Sequence, residues 1–102
     1  PTAQDCPGET PAVRPSSLLI ACGDANALVK DITWSSWSSS SAAGAATYSQ
    51  NDCTPNCAQG HFLDSPATVA LSQVISHGGN ACFSLLVVTR SGQQTPINLV
   101  CS

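Results

Sequence analysis

Residues 82–101, with the sequence CFSLLVVTRSGQQTPINLVC, predict a β-hairpin and thereby indicate an all-β fold. The apolar run at residues 83–88 occupies both strand parities, which is typical of a central strand covered on both faces. The β-branched residues Val87, Val88 and Thr89 favour a strand over a buried helical segment. Gly92 supplies the positive φ of a tight turn, and residues 96–101 are expected to return beside the first strand.

This hairpin predicts the first of three disulfides. If Arg90 pairs near Thr95, Cys82 and Cys101 lie close together at the open end of the hairpin. Cys53 and Cys57 flank a Thr-Pro-Asn turn sequence that can bring their Cβ atoms together. The remaining pair, Cys6 with Cys22, completes this assignment among the fifteen connectivities that six cysteines allow.

A different pairing stays open. Cys22, Trp34 and Cys82 follow the Cys…Trp…Cys spacing of immunoglobulin domains, in which a disulfide joins two sheets. Under that interpretation Cys22 would bond to Cys82. Asn80 stands where the tyrosine corner of those domains needs a tyrosine, so true homology is not indicated, but an immunoglobulin-like sandwich remains an alternative architecture.

Outward from the hairpin, the chain consists of short apolar or alternating runs separated by Gly, Asn, Asp and Ser clusters. The six predicted strands are residues 17–22, 27–34, 42–49, 68–75, 82–90 and 96–101. Four prolines in residues 1–15 predict an extended lead-in, since proline fixes φ and removes a backbone donor. We therefore expect an all-β fold in which residues 16–102 form a single small disulfide-stapled β-sandwich or β-barrel-like domain of about six strands.

Composition indicates export. An even number of cysteines, six in 102 residues, is typical of an oxidising compartment, so we expect a secreted or cell-envelope protein. Only three residues are Lys or Arg against six Asp or Glu, which leaves no basic surface for nucleic acid. No run approaches the roughly 18 apolar residues of a membrane span. A signal peptide or lipid anchor would lie upstream of this sequence.

Three segments carry a family resemblance: RPSSLLIACGDAN at residues 14–26, WSSW at residues 34–37 and NDCTPNCAQGHF at residues 51–62. Together they resemble the recurring signature of small secreted proteins and lipoproteins from actinobacteria, over roughly residues 11–75. The resemblance implies export to the cell envelope or the medium. It implies no particular activity, and so no catalytic residue.

The sequence contains one candidate metal site and no catalytic motif. Cys53, Cys57 and His61 are four residues apart and, with Asp64 or His77, could form a zinc site on a helix. Proline between the two cysteines and the even cysteine count favour a disulfide instead, so we predict no metal and no cofactor. The chain contains no Gly-x-Ser-x-Gly, His-Glu-x-x-His or phosphate-binding loop sequence, and no enzyme activity is predicted.

The polar residues near the turns are expected to stabilise those turns and not to take part in catalysis. Asp24 and Asp52 are expected to accept local backbone N–H groups in Asx turns. His61, between Gly60 and Phe62, is expected to be a hydrogen-bonded turn residue and not a general base.

The two tryptophans are the other candidates for function. Residues three apart in a regular strand point to opposite faces, so Trp34 and Trp37 should differ in burial. We expect Trp34 in the core across the small residues Ala43 and Ala45, and Trp37 on the surface.

These observations predict an exported, non-enzymatic module that binds an envelope protein, a polysaccharide or a small apolar ligand. The alternative is an exported inhibitor of a protease or other hydrolase, which would present the Cys53–Cys57 loop in a rigid form. The candidate binding residues are Trp37, Asn51, Asp52, Thr54, Pro55, Asn56, His61 and Phe62.

Overall fold

The computed structural model describes residues 1–101, and its strands form one curled antiparallel sheet. The strands are β1 (Leu18–Leu19), β2 (Ala27–Trp37), β3 (Ala42–Asn51), β4 (Phe62–His77), β5 (Asn80–Arg90) and β6 (Gln93–Asn98). Each strand pairs with the next one along the chain, so β1 and β6 form the two edges of the sheet. The predicted all-β class with six strands is confirmed. Within residues 1–101 no helix could span a membrane.

The hairpin of β5 and β6 forms with a tighter turn than expected. Arg90 pairs with Gln93, and Val88 with Thr95, so only Ser91 and Gly92 lie in the turn. Both turn residues have positive φ, 49° and 78°, as a two-residue hairpin turn requires. The return strand therefore begins at Gln93, earlier than the predicted residue 96.

All three predicted disulfides are confirmed. Cys6 is bonded to Cys22, Cys53 to Cys57 and Cys82 to Cys101. The alternative Cys22–Cys82 bridge is wrong. The described strands lie in one sheet in sequence order, so there is no second sheet for such a bridge to reach.

The core lies on one side of this sheet, which we call the inner face. Leu71 and Leu86 are buried cross-strand partners, and so are Val69 and Val88, while the intervening Ala70 is exposed. The sheet curls over these residues. Trp37 of β2 and Phe83 of β5 have ring centroids 5.3 Å apart, although two strands lie between them and a flat sheet would separate them by about 14 Å.

Two bulges in β2 change the direction of its side chains. The register with β3 shifts between Lys30 and Thr33, and again between Trp34 and Ser36. The second shift adds a residue between the tryptophans, so both indoles point to the inner face and their centroids are 4.9 Å apart. The prediction that they point to opposite faces is wrong, because it assumed a regular strand.

Both indoles are half-buried and bonded to the Pro-rich segment. Trp34 Nε1 donates to the carbonyl oxygen of Pro15 at 2.8 Å, and Trp37 Nε1 donates to that of Pro1 at 3.0 Å. Trp34 is the cross-strand partner of Gly44, where a Cβ atom would lie 2.6 Å from the carbonyl oxygen of Thr33. The close approach of the β2 backbone, and not the indole, therefore requires the small residue Gly44; Ala43 and Ala45, where the indole was predicted to pack, alternate with Gly44 and point to the other face.

Residues 1–15 contact the domain along their first half. Thr2 forms a parallel bridge with Cys82, and Gln4 an antiparallel bridge with Val100. Ala3 and Gln4 are buried, and Leu19 donates its backbone N–H to Asp5 Oδ2 at 2.6 Å. This segment closes the inner face at the end of the sheet that holds Phe83.

Candidate functional site

The candidate site is built on the loop between β3 and β4, residues 52–61, which we call the Cys53 loop. Asn51, the last residue of β3, is buried beneath it and holds it in place. Its Nδ2 donates to Asn26 Oδ1 at 3.0 Å and to the carbonyl oxygen of Cys57 at 2.7 Å, while its Oδ1 accepts from the Cys53 N–H at 3.0 Å. One amide side chain thus satisfies backbone groups on both sides of the loop.

Asp52 closes the base of the Cys53 loop. Its Oδ1 accepts from the backbone N–H groups of His61 at 3.0 Å and Thr54 at 3.1 Å, and its own N–H donates to the His61 carbonyl at 2.9 Å. These two N–H groups, with His61 first, hold the pKa of Asp52 below its ordinary value because they stabilise the carboxylate. The Asx turn at Asp52 and the turn role of the His61 backbone are confirmed.

The predicted Asx turn at Asp24 also forms. Its Oδ1 accepts from the Asn26 N–H at 3.1 Å, which lowers the pKa of Asp24. Since Asn26 in turn accepts from Asn51 through both its backbone and its side-chain oxygen, the β1–β2 loop supports the Cys53 loop from one side.

Gly60 allows the Cys53 loop to pack this tightly. A Cβ atom at this position would overlap Asn51 Oδ1 and would lie 2.8 Å from both Asp52 Oδ1 and the Cys53 nitrogen. Any side chain here would displace the two groups that organise the loop.

The tip of the loop is exposed and closed by a disulfide. Thr54, Pro55 and Asn56 are exposed between Cys53 and Cys57. Because the two sulfur atoms are bonded to each other, the zinc arrangement that their spacing with His61 allows does not form.

Trp37 does not belong to this site. Its cross-strand partner Ala42 is the first residue of β3, and Asn51 is the last. A strand of 10 residues spans about 30 Å, so Trp37 and the Cys53 loop lie at opposite ends of the hairpin. The predicted joint surface is wrong for Trp37, and its other members, from Asn51 to Phe62, are brought together.

The sequence did not indicate a recess beside the loop. β4 pairs with β3 from Phe62 onward, but with β5 only from Thr68 onward, so residues 62–67 have no strand partner on the β5 side. We call this unpaired edge, with Arg90 at its end, the β4 step. It holds a concavity of about 320 Å³ lined by Tyr48, Gln50, Asn51, Asp52, Leu63, Asp64, Ser65 and Arg90. Leu63, which lines the concavity, is 61% exposed, and the preceding residue Phe62 is 49% exposed.

Arg90 is the notable cation of the step. Its guanidinium carbon lies 3.6 Å from the centroid of the Tyr48 ring, and Tyr48 Oη donates to Gln50 Oε1 at 3.0 Å. Within residues 1–101 the guanidinium takes part in no ion pair and no hydrogen bond. Sequence reasoning missed Arg90 because it ends a strand outside any motif; the only signal was the scarcity of Lys and Arg, three in the chain.

Near the step, Lys30 and Asp64 form an ion pair with each other. Lys30 Nζ lies 3.0 Å from Asp64 Oδ2, and Ser49 Oγ donates to Asp64 Oδ1 at 2.7 Å. The serine hydroxyl first and the lysine second lower the pKa of Asp64.

The site therefore offers amides, carboxylates that already accept hydrogen bonds, exposed apolar side chains, and one guanidinium that stacks on Tyr48 with no hydrogen bond to the described residues. Such a set is suited to binding by hydrogen bonds and apolar contact. Comparisons with protein-family models, with characterised proteins and with solved structures found no match to the chain.

Proposed function

We propose that the protein is an exported, non-enzymatic module of the cell envelope or extracellular space that binds a partner through the Cys53 loop and the β4 step. The observation that carries this proposal is the exposure of two large apolar side chains, Phe62 and Leu63, one on each face of the sheet where β4 leaves a loop that is braced from within. Apolar groups rimmed by polar ones are typical of an interaction surface.

The rigidity of the loop supports binding. Asn51, Asp52 and the Cys53–Cys57 disulfide fix the backbone before any partner arrives, so less conformational entropy is lost on association. The step combines apolar area with hydrogen-bonding side chains such as Gln50, Ser65 and Arg90, which favours a protein or a polysaccharide over a small apolar ligand. Export is supported by the three disulfides and by the resemblance to secreted actinobacterial proteins.

Retention on envelope material tests the proposal. We would compare the wild type with Phe62→Ser/Leu63→Ser and with Val13→Ser, a control whose side chain is 54% exposed on the Pro-rich segment. The probes are sedimented cell-wall polysaccharide and immobilised envelope proteins from an actinobacterium. Wild type and control should be retained equally on one probe and the double variant released. Equal retention of all three proteins, or none of the wild type on either probe, would contradict the proposal.

A second candidate is the hydrolase inhibitor, which the exposed Thr54–Pro55–Asn56 tip within a disulfide ring favours. Inhibitors of this kind gain affinity from a preorganised loop. A panel of secreted proteases and glycosidases tests it: inhibition should weaken in Cys53→Ala/Cys57→Ala and remain in Phe62→Ser/Leu63→Ser. No inhibition at micromolar protein would exclude this role for the enzymes tested.

A further inference from the structure

We propose that the β4 step binds the C-terminal end of an extended peptide, which pairs as an added strand with residues 62–66 and places its terminal carboxylate on Arg90. This inference rests on the proposed function and names the partner class of the same site.

The edge provides the backbone groups for strand addition. β4 is held by β3 along residues 62–67, while its other edge faces the step without a strand partner. Along such an edge, alternate residues present both N–H and C=O outward, which is the template that peptides use in β-augmentation. Pro66 has no N–H, so pairing weakens there and the recognised stretch is only a few residues long.

The step also has room for the side chains of an added strand. Successive side chains of a strand point to opposite faces, so an added strand needs space on both sides of the sheet. Besides the concavity that holds Arg90, a shallow, open depression lined by Ala46, Thr47, Asp64, Ser65 and Pro66 leaves the same part of β4 uncovered. The exposed Leu63 offers an apolar contact for one peptide side chain.

The positive charge of Arg90 determines that the carboxylate end of the peptide binds beside it. The Arg90 guanidinium has five N–H donors, is fixed over the Tyr48 ring, and has no carboxylate partner within residues 1–101. A planar guanidinium matches a carboxylate with two parallel hydrogen bonds. Lys30 cannot compete, since it is paired with Asp64. The carboxylates of Asp52 and Asp64 disfavour a second anion elsewhere in the step, so the peptide terminus is directed to Arg90.

The position of Arg90 fixes the direction of the peptide. β4 begins beside the Cys53 loop and runs toward Thr68, whose partner in β5 is Thr89, the neighbour of Arg90. A peptide whose C-terminus reaches Arg90 therefore runs parallel to β4, with its preceding residues beside Leu63 and its N-terminal side near the loop. An antiparallel peptide would place its N-terminal ammonium beside the guanidinium, where the like charges repel.

Synthetic peptides test the proposal. An array of hexapeptides with free C-terminal carboxylates would be screened in parallel with the same array amidated. We expect binders among the free peptides, and a loss of about tenfold or more in affinity on amidation, as for a charge-assisted hydrogen bond. Arg90→Gln should cause a similar loss and Arg14→Gln, at an exposed arginine elsewhere, none. Binding that is insensitive to amidation would overturn the inference, and this comparison leaves the protein unaltered.

NMR of the selected complex tests the strand pairing. The backbone amides of Phe62 and Asp64 should become protected from hydrogen exchange, and a spin label on the peptide N-terminus should broaden signals of residues 52–61 and spare Ser91 and Gly92. Protection confined to residues 53–57, or broadening at the turn, would overturn it. If no peptide binds while retention still depends on Phe62 and Leu63, this inference fails and the proposed function stands; if that retention is also absent, both fail.

Discussion

At the residue scale, the two tryptophans should be similar in their importance for stability. Because both indoles contact the core and each donates to a backbone carbonyl, we expect Trp34→Ala and Trp37→Ala each to lower the free energy of unfolding by about 2–4 kcal/mol. Urea unfolding measures both losses. Phe62→Ala, at an exposed residue, should change stability by less than about 0.5 kcal/mol. A negligible loss for Trp37→Ala alone would return that indole to the candidate binding residues.

Gly44 is required because the backbone of β2 passes too close to leave room for a Cβ atom. Gly44→Ala places a Cβ atom 2.6 Å from the Thr33 carbonyl oxygen, so we expect a loss of about 1–3 kcal/mol as β2 and β3 move apart. Gly23→Ala is the matched control, since a Cβ atom there meets nothing within 4 Å. Thermal unfolding of the two variants compares them directly. Similar melting temperatures would mean that the bulge adapts without cost.

Acid should loosen the Cys53 loop. The pKa of Asp52 is held below its ordinary value of about 4, so the unfolded chain binds a proton more readily than the folded one. Its contribution to stability is thus complete above pH 4 and is lost as the pH falls through the lower, folded pKa. In an NMR titration the amide shifts of Thr54 and His61 should change together below pH 4, and Asp52→Asn should abolish that change. An inflection at or above pH 4 would contradict the hydrogen-bond account.

At the element scale, the hairpin disulfide and the loop disulfide should differ in their effects. Cys82 and Cys101 are 19 residues apart and Cys53 and Cys57 only 4, so the chain-entropy estimates are about 3 and about 2 kcal/mol. Cys82→Ala/Cys101→Ala should therefore lower global stability more in guanidinium unfolding. Cys53→Ala/Cys57→Ala should instead raise hydrogen exchange mainly within residues 52–61. The reverse order of stabilities would show that the loop disulfide supports the whole sheet.

The strands could be predicted from the sequence because alternation and turn residues are local signals. Residues 82–101 specified the last hairpin and its disulfide, and every predicted run contains part of a real strand. The bulges of β2 could not be predicted, since Asp31, in the first of them, has a positive φ of 51° in a residue type that does not demand it. One extra residue at Ser35 was enough to reverse the predicted direction of Trp37.

The Cys53 loop of the candidate site could also be predicted, because its turns depend on residues that are close together in sequence. Asp and Asn beside a Cys-Thr-Pro sequence indicate Asx turns, and the hydrogen bonds of Asp52 form as expected. The β4 step was not predicted, because it depends on how far β4 extends beyond β5 and thus on the pairing of two strands. Arg90 and Tyr48 are far apart in sequence, and only the sheet brings them together.

At the scale of the whole molecule, the first residues complete the core. Deleting residues 1–4 removes two backbone hydrogen bonds between Thr2 and β5, the acceptor of Trp37 at Pro1, and the buried Ala3. We expect a loss of about 2–4 kcal/mol and increased binding of an apolar dye at the uncovered Phe83. Glu9→Ala/Thr10→Ala, at exposed positions of the same segment, is the control. An unchanged melting temperature for the deletion would show that these residues are dispensable.

The first and last described residues of the chain meet at Cys82, at the end of the molecule opposite the Cys53 loop. Thr2 bridges Cys82 and Cys101 is bonded to it, whereas the Cys53 loop lies beyond the far end of β4. From Phe62 to Ile75, the cross-strand partner of Cys82, the strand covers about 40 Å, most of the 45 Å long dimension of the molecule. A tag, a sensor surface or a tethering domain joined to either end would hold the loop pointing away from its support, so the protein can be immobilised by its ends without covering the surface under study.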